Sequence, residues 1–296
     1  MTAVQQKKLP QLPESFTAAG GEQLPAPLRS LREARSKVLS GMTLPHRKVE
    51  NWKYSARYLK LDESLAPLAR DGSETVPEPA MDGYRVVIRN GRVDSALSQL
   101  PAQEGVEITP FADLDEVTAQ AVARRLDNTL DPDSTQLAAL NSARFEDGLF
   151  IRLASGAKLD KPLTVQCVTD AGESGSAYPR IAIDAGSDSA ITLVEEHLAL
   201  GESPVLVSSV TEMNLDPRAR VTYVRLSLEH ECVRHIGATG ARLRAGAELD
   251  CHAIGFGGAL RRHDRQVRRE EPEAVSRLKG ITLTQGRQHY HNPTGI

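Results

Sequence analysis

The sequence lacks a strong charge of either sign and lacks any long apolar run. Its 296 residues carry a formal net charge of -3 with a pI near 6.3, so no field would gather nucleic acid or an anionic membrane. No apolar stretch is long enough to span a bilayer, and the opening MTAVQQKKLPQLPESF has no apolar signal-peptide region. We therefore expect a cytoplasmic protein without nucleic-acid or membrane partners, built as one elongated domain or two compact ones.

Cysteine is scarce, and the common nucleotide-binding and hydrolase motifs are missing. The three cysteines, Cys167, Cys232 and Cys251, have no C-x-x-C spacing, which argues against a disulfide framework or a local zinc knuckle and suits a reducing compartment. The sequence contains no G-x-x-x-x-G-K-S/T loop, no G-x-S-x-G elbow and no G-x-G-x-x-G. The sequence therefore carries none of the usual motifs for ATP binding, for serine hydrolysis or for dinucleotide binding.

Residues 1–144 show mostly helical patterns. PLRSLREARSKVLSG places its apolar residues on one face and stops at Gly41, and FADLDEVTAQAVARRL also has near-helical spacing. Between them, YRVVIRNGRV has the pattern of two short strands joined by an Asn-Gly turn. We therefore predict a mostly helical N-terminal region with short strands over residues 1–144, followed by a β domain over residues 145–296.

From residue 145 onward the sequence alternates with period two, and it also repeats. Four segments align when each starts from an alanine that follows a polar turn: AITLVEEHLALG from Ala190, ARVTYVRLSLEH from Ala219, AELDCHAIGFGG from Ala247 and AVSRLKGITLTQ from Ala274. The steps between these alanines are nearly constant, just under thirty positions, and each is one position shorter than the step before it. The fifth position is apolar in every repeat and reads Val194, Tyr223, Cys251 and Leu278.

A repeat of this length with a strand-turn-strand unit is typical of a β-solenoid. One such coil cannot bury its own apolar face, whereas several stacked coils can. We therefore predict a mainly β fold, a parallel β-helix preceded by the helical region. The apolar positions change from odd to even along each segment, which predicts a bend or bulge near the sixth and seventh positions. A β-sandwich is the alternative, but sandwiches do not usually keep matched columns at a fixed step.

Several separated motifs resemble the SufB/SufD family of iron-sulfur cluster assembly proteins, and the SufD branch is the closer match. They are, in family order, VENWKYS, NSARFEDGLFIRL with KLDKPL, GFGGALRRHDRQV and LKGITLTQGRQH. The resemblance runs from about Pro45 to the end of the chain. It implies a β-helix core flanked by helical regions, in agreement with the fold that the repeat predicts.

The resemblance also implies a role and a set of partners. Members of this branch are scaffold subunits that hydrolyse nothing themselves, and they pair with a SufB-like subunit and a SufC-like ATPase. The resemblance therefore implies that this chain is not an enzyme and that any ATP chemistry comes from a partner. We thus expect no cofactor to be bound firmly by this chain, with the iron-sulfur cluster and ATP handled by the complex. Because the chain stops at Ile296, before the remaining family coils, we expect it to be truncated at its C-terminal end. An open β-helix edge would then promote self-association and leave residues 287–296 weakly ordered.

Histidines in the repeats are the candidate metal ligands. His235 and His263 both occupy the seventeenth position of their coils, and one register step brings His289 or His291 beside them. Stacked strands lie about 4.8 Å apart, which is a suitable spacing for a shared metal ion. The alternative is a solvated ladder without a ligand, since the segment RRHDRQVRRE is charged enough for a solvent face.

Two further sets of polar residues are open to more than one interpretation. Glu195 and His197 lie on one side of their strand and can share a ligand, although a salt-bridged or solvated strand end is the alternative. Cys251 falls in an apolar column, so we expect it to be a buried core residue, with His252 pointing outward.

Two other functions are compatible with a β-helix. A carbohydrate-active enzyme needs clustered carboxylates on an exposed face and aromatic platforms for sugar rings, and aromatics at 4% with a single Trp weigh against it. A purely structural module that self-associates through its sheet edge is the other alternative.

Overall fold

The computed structural model shows a two-sheet solenoid with helices at its N-terminal side. It describes residues 20–42, 45–59, 66–69, 75–130 and 136–295, so the part of the predicted N-terminal region that precedes Gly20 lies outside the described residues. The predicted fold class is confirmed, because the chain is 48% strand and 16% helix and forms a parallel β-solenoid of about 5 turns.

Among the described residues, the helices lie before the main run of strands. They are α1 Ala26–Ser40, α2 Ala56–Leu59, α3 Glu116–Arg125 and α4 Gln136–Arg144, with short 3-10 turns at Glu50–Trp52 and Phe111–Asp113. Helix α1 buries Leu28 and Leu39 along one face and is followed by Gly41, as its sequence pattern predicts. Asp115 caps α3 by accepting a hydrogen bond of 2.9 Å from the Thr118 amide.

The strands of the described residues form two sheets. In chain order they are β1 Tyr84–Arg89, β2 Arg92–Gln99, β3 Val106–Pro110, β4 Leu149–Leu153, β5 Leu163–Ala171, β6 Gly175–Ala177, β7 Arg180–Ala185, β8 Ala190–Gly201, β9 Val205–Leu215, β10 Arg220–Glu229, β11 Val233–Leu243, β12 Glu248–Gly257, β13 Leu260–Arg269, β14 Val275–Leu283, β15 His289–His291 and β16 Thr294–Gly295. One sheet has the order β14-β12-β10-β8-β5-β1-β2. The other has the order β15-β13-β11-β9-β7-β4-β3, with β6 beside β9 and β16 beside β13.

The first three strands already belong to these sheets. Asn90 and Gly91 have φ values of 49° and 84°, which the predicted Asn-Gly turn between β1 and β2 requires. Strand β1 pairs in parallel with β5, and β3 pairs antiparallel with β4. The two sheets therefore begin upstream of residue 145.

The later coils stack in the register that the alanine repeat predicts. Strand β10 pairs in parallel with β12, and β12 with β14, so that Ala219, Ala247 and Ala274 each precede their strand at the same level. These alanines are buried beside one another along the solenoid axis. The predicted stacking of parallel strands is confirmed for these two steps.

The first step of the predicted repeat is wrong by one residue. Ala190 pairs with Arg220 and not, as the repeat predicts, with Ala219. Leu193, not Val194, therefore lies in the column of Tyr223, because a shift of one residue moves every side chain of a strand to the other face.

The predicted bend near the sixth and seventh positions of each coil is also wrong. Strand β10 keeps a regular alternation, and its inward-facing residues are all buried: Val221, Tyr223, Arg225, Ser227 and Glu229. The side that faces inward does not change along the strand. What changes is the chemistry of the interior, which is apolar at the start of β10 and ionic at its end.

The apolar residues that suggested the bend lie on the outside of the sheet. They form two in-register rows, which we call the outer apolar rows: Leu198, Leu228, Phe256 and Leu283 in one, and Leu226, Ile254 and Ile281 in the other. At the β14 end these side chains are open to solvent, with Ile281 56% and Leu283 58% exposed.

The outer face of the other sheet is covered by the helices. Leu206, Ile236 and Leu260 of β9, β11 and β13 pack in one cluster with Leu28 of α1 and with Trp52. Within the described part of the chain, no helix combines the length and the apolar character needed to cross a membrane.

The last described residues pair with β13. The His289 amide donates to the Ala259 carbonyl at 3.1 Å, and the Arg265 amide donates to the Pro293 carbonyl at 3.0 Å. Both β15 and β16 lie in register beside β13. Residues 289–291 and 294–295 are therefore paired with β13, while the weak order expected for residues 287–296 stays a prediction.

Candidate functional site in the solenoid interior

The ionic half of the interior is the candidate site. Its side chains come from inward-facing positions of neighbouring coils, with Glu195 and His197 on β8, Arg225 and Glu229 on β10, and His235 on β11. The pleat places every second residue of a strand on the inner side, so a short run of alternating polar residues on each strand builds one buried cluster. We call these residues and their direct hydrogen-bond partners the interior network.

Glu195 is the acceptor at the centre of the interior network. Its carboxylate accepts hydrogen bonds from His197 Nε2 at 2.5 Å and from the Tyr223 hydroxyl at 2.7 Å, and it also contacts Thr211 and Arg225. Burial alone would raise the pKa of Glu195, but the Arg225 guanidinium and the His197 hydrogen bond hold it well below its ordinary value. The carboxylate is therefore ionised and fully paired.

His235 links Glu229 to Arg225 and Ser209. Its Nδ1 is 2.8 Å from Glu229 Oε1, while its Nε2 is 2.8 Å from Ser209 Oγ and 2.9 Å from Arg225 Nη2. Arg225 can only donate, so Nε2 carries the lone pair and Nδ1–H donates to Glu229. Burial lowers the pKa of His235 to about 3, which agrees with a neutral imidazole.

Glu229 is ionised although it is buried. Burial would raise the pKa of its carboxyl group, but the contact with His235 and the Arg261 guanidinium lower it below its ordinary value. Arg261 Nη2 lies 3.5 Å from Glu229 Oε2 and also donates to the Phe256 carbonyl at 2.6 Å. The network thus balances two buried carboxylates against two buried guanidinium groups, which is the condition under which ionised groups are tolerated in an interior.

His197 has the geometry of an oriented ligand. Because Glu195 is ionised and only accepts, His197 Nε2 carries the proton and Nδ1 carries the lone pair. The His197 and His235 rings meet edge to face with centroids 4.5 Å apart. Within the described part of the chain, ligand atoms of His197, Glu229 and His235 all lie within 4.8 Å of one another, so these three residues have the spacing of a potential metal site.

The predicted ladder of His235, His263 and His289 is not assembled. His263 is buried in the same interior, where its Nε2 is 2.9 Å from Thr239 Oγ1, but it pairs in register with Gly237 and not with His235. His289 lies on the opposite face of the sheet and stacks on Tyr58 with ring centroids 4.2 Å apart. The solvated alternative does not describe His235 and His263 either, since they are only 1% and 3% exposed.

The physical reason is a change of register between neighbouring pairs of strands. Arg261 pairs with His235 across β11 and β13, whereas His289 pairs with Leu260 across β13 and β15. The turn before β15 lengthens the second step by an odd number of positions, so His289 faces away from His263. His291 is also on that outer side, where its Nδ1 lies 2.9 Å from Ser55 Oγ.

Several single-residue expectations match the structure. Glu195 and His197 do face the same side, and they form a buried hydrogen-bonded pair and not a solvated strand end. Cys251 is 2% exposed within the apolar cluster, and Cys167 is equally buried. His252 points outward and is half-buried.

Sequence patterns alone miss Arg225 and Glu229. Both alternate with apolar residues that the pattern assigns to the core, so the pattern puts them on the outer face. The available signal is the pair of polar residues at matching levels on β8 and β10, where Glu195 pairs in register with Arg225. An acid and a base at one level of two stacked strands favour a shared side of the sheet.

These features define a class of protein: a parallel β-solenoid whose interior is partly ionic and whose helices cover one sheet. A family model described as SUF system FeS cluster assembly, SufBD core domain, matches residues 167–296. The chain is 23% identical over 281 residues to the iron-sulfur cluster assembly protein SufD of Escherichia coli strain K12, covering 90% of this chain and 61% of that protein. It is also 23% identical over 283 residues to protein ABCI7, chloroplastic, of Arabidopsis thaliana, covering 90% of this chain and 58% of that protein.

Residues 167–296 of the chain match the SufBD core domain, and the chain as a whole is similar to SufD-like proteins. The resemblance seen in the separated sequence motifs is confirmed. The chain spans 61% and 58% of the length of these two relatives.

Proposed function

We propose that this chain is a non-catalytic scaffold subunit of a SUF-type iron-sulfur cluster assembly complex. In this role it pairs with a SufB-like subunit and receives a SufC-like ATPase, and the complex works in the cytoplasm. The observation that carries the proposal is the match to the SufBD core over residues 167–296, which contain the strands from β6 onward and every charged residue of the interior network. Membership of a SUF assembly family makes a multi-subunit context the natural one.

The outer face of the seven-stranded sheet supports a pairing role. Among the described residues, the outer apolar rows on this face include exposed side chains: Leu228 is 40% exposed, Phe256 39%, Ile281 56% and Leu283 58%. In-register apolar side chains of neighbouring strands form a continuous apolar patch, and such patches mark protein–protein contacts. Self-association of this chain through the same face is the competing outcome.

Burial of the interior network supports a non-catalytic role. Glu195 and Glu229 are 0% and 3% exposed and face the solenoid interior, so a polymeric substrate cannot reach them. A carbohydrate-active enzyme would need its two carboxyl groups on an accessible surface. This observation counts against the carbohydrate-active alternative.

Co-purification tests the proposal. We expect the tagged chain, expressed together with a SufB-like subunit and a SufC-like ATPase, to retain both through size-exclusion chromatography with light scattering. Ile281→Asp should weaken retention of the SufB-like subunit, because it puts a charge on the proposed contact strand. Val117→Asp is the matched control, since Val117 is an exposed apolar residue of α3 at 81% exposure.

Three outcomes separate the alternatives. Retention of both partners by the wild type and by Val117→Asp supports the scaffold role. A homodimer that excludes the SufB-like subunit supports the self-associating module. Failure of the wild type to retain either partner contradicts the proposal.

A further inference from the structure

The three potential ligands inside the solenoid come from three different strands. His197 lies on β8, Glu229 ends β10 and His235 lies near the start of β11, with exposures of 1%, 3% and 1%. We propose that His197, Glu229 and His235 form a binding site for one divalent first-row transition metal ion. Two imidazoles and one carboxylate, leaving further positions open, are the ligand set that proteins use for Fe(II), and imidazole also suits Zn(II) and Co(II).

The present geometry is close to that of a metal site. The ligand atoms lie within 4.8 Å of one another. Bonds of about 2.0–2.2 Å from a metal ion to nitrogen and oxygen place its ligand atoms roughly 3 Å apart. Side-chain rotations that move each ligand atom by about 1 Å would therefore bring the three onto one ion, without any change in strand pairing.

Outer contacts orient both imidazoles. His197 donates from Nε2 to Glu195, which fixes its tautomer and leaves Nδ1 as the ligand atom. A histidine whose second nitrogen donates to a carboxylate is the usual arrangement around protein-bound metals. Glu195 is in turn held by Tyr223 and Arg225, so the His197 ring is fixed before any ion arrives.

His235 must change tautomer when the ion binds. Its Nδ1–H now donates to Glu229, and the metal needs the Nδ1 lone pair. The proton moves to Nε2, which then donates to Ser209 Oγ at its present distance of 2.8 Å. Arg225 Nη2, now 2.9 Å from Nε2, must turn away from it, because a protonated Nε2 no longer accepts. Arg225 Nη2 keeps Ser209 Oγ as its acceptor, at 3.1 Å. The imidazole stays neutral, so proton and charge are conserved at this residue.

The two guanidinium groups of the network limit the affinity. Arg225 and Arg261 already balance Glu195 and Glu229, so a bound dication adds uncompensated positive charge. Arg261 can release Glu229, because it also donates to the Phe256 carbonyl at 2.6 Å. We therefore expect Arg261→Gln to tighten metal binding. If Arg261 only stabilised the fold, its substitution would not increase the affinity for a metal ion.

Metal content tests the proposal on the isolated full chain. The protein is refolded with Co(II) or incubated with it, dialysed, and its cobalt measured by elemental analysis and by visible absorption. We expect about one cobalt per chain with a ligand-field spectrum, for the single site that the three ligands define. Because the ligands are buried, loading of the folded chain should be slower than loading during refolding.

Matched variants assign the ligands. His197→Gln and His235→Gln keep a donor or acceptor near the Nε2 position but remove Nδ1, and each should weaken cobalt binding by at least about tenfold. His263→Gln is the control, since His263 is buried in the same interior and bonds Thr239 but lies outside the ligand group. Circular dichroism checks that each variant folds.

The outcomes are separable even where a variant does not fold. A wild-type chain that keeps no cobalt after either loading route overturns the proposal, as does equal loss of binding in His197→Gln and His263→Gln. If both ligand variants unfold, the melting temperature of the wild type decides. A rise on adding Co(II), and a larger rise in Arg261→Gln, still supports the proposal, whereas no rise overturns it.

A resident metal would also run against the expectation that this chain holds no cofactor firmly. Failure here leaves the proposed complex untouched, since no partner is present.

Discussion

At the residue scale, Arg225 holds the interior network together. Its guanidinium contacts Glu195, Ser209 and His235, which come from three different strands. Removing one member of a buried charged network leaves its partner ionised and unpaired in a medium of low dielectric constant. Arg225 is therefore the position where a single substitution should have the largest effect on stability.

We predict that Arg225→Met destabilises the fold by about 3–5 kcal/mol, the range for breaking a buried ion pair by removing one partner. Chemical denaturation followed by circular dichroism measures the change. Arg218→Met is the control, because Arg218 forms an ion pair with Asp188 on the surface, where both side chains are more than half exposed. A comparable loss of stability in both variants would show that the buried ion pair of Arg225 contributes no more to stability than the surface ion pair of Arg218.

The same network predicts how stability depends on pH. Burial lowers the pKa of His235 from 6.5 to about 3, and it also lowers that of His197. Between pH 3 and pH 6.5, an unfolded chain binds a proton at His235 that the folded chain does not bind. The free energy of unfolding therefore rises with pH in this range, and stability is lost as the pH falls from 6.5 toward 3. The lowered pKa of Glu195 acts in the same direction below its ordinary value.

We therefore predict that the free energy of unfolding falls with acidification, by up to about 1.4 kcal/mol per pH unit for each buried histidine. Urea denaturation at pH 7, 6, 5 and 4 measures the slope. His235→Gln should flatten it, because the variant lacks the buried imidazole that gains a proton on unfolding. A slope that is the same in the wild type and in His235→Gln would contradict this assignment.

At the element scale, the turns between the two sheets depend on close backbone approach. Gly257 ends β12 with φ of +73°, and a Cβ there would lie 2.0 Å from the Glu229 carbonyl oxygen of the coil below. Gly286, in the turn before β15, has a similar φ of +62° but nothing within 4 Å of its Cβ position. Both glycines therefore need a left-handed backbone conformation, and they differ only in the free room around the Cβ position.

We predict that Gly257→Ala destabilises the fold by more than Gly286→Ala does. Both variants carry the strain of a left-handed alanine, about 1–2 kcal/mol, and Gly257→Ala adds a clash of about 1–3 kcal/mol typical of overpacking. Denaturation midpoints of the two variants give the difference directly. Equal losses would mean that the coil at Gly257 shifts freely to admit a methyl group.

The elements also show what the sequence could reveal and why the rest was hidden. Repeat length, the Asn-Gly hairpin and helix α1 follow from local patterns that tertiary contacts do not override. The direction of the side chains on β10 does not, because Leu226 and Leu228 alternate with Arg225 and the usual rule puts leucine inside. The partners of Arg225 on β8, β9 and β11 make its burial favourable, and they lie 30, 16 and 10 residues away on other strands.

The metal-ligand prediction failed in part for a similar reason. Counting positions puts His235 and His263 on one side, which is correct, but it cannot supply the length of the turn before β15. Counting also gives no reason to choose Glu229, because its role depends on a contact with His235 across the turn between two sheets. The register of each coil depends on the length of the turn before it. An error in the predicted length of one turn therefore misplaces every later residue in the prediction.

At the scale of the whole molecule, the solenoid is a row of coils in which each strand contacts mainly its two neighbours. The apolar interior continues from β1 to β14 along the axis, and the helices cover only the sheet that contains β9, β11 and β13. In such an array stability is close to a sum of neighbour terms, and the coils at an end can open before the others.

The three cysteines report on this order of opening. We predict that a thiol reagent labels half-buried Cys232 in the native protein and labels Cys167 and Cys251 only on unfolding, since those two are 2% exposed. The two buried thiols lie on different strands, Cys167 on β5 and Cys251 on β12, so their labelling midpoints in denaturant compare the opening of two parts of the array. Mass spectrometry of the labelled peptides gives both midpoints, and coincident midpoints would indicate a single cooperative unit.

The unbroken alternation of β10 also has a kinetic consequence. Val221 and Tyr223 favour the native side of the sheet, whereas Leu226 and Leu228 would favour the opposite one, so the two halves of the strand conflict. We expect a slipped pairing that buries the leucines to compete with the native one during refolding. The contacts of Glu195 and His235 with Arg225, from two other strands, favour the native pairing. Local frustration of this kind makes late assembly of the interior network the step that selects the correct fold.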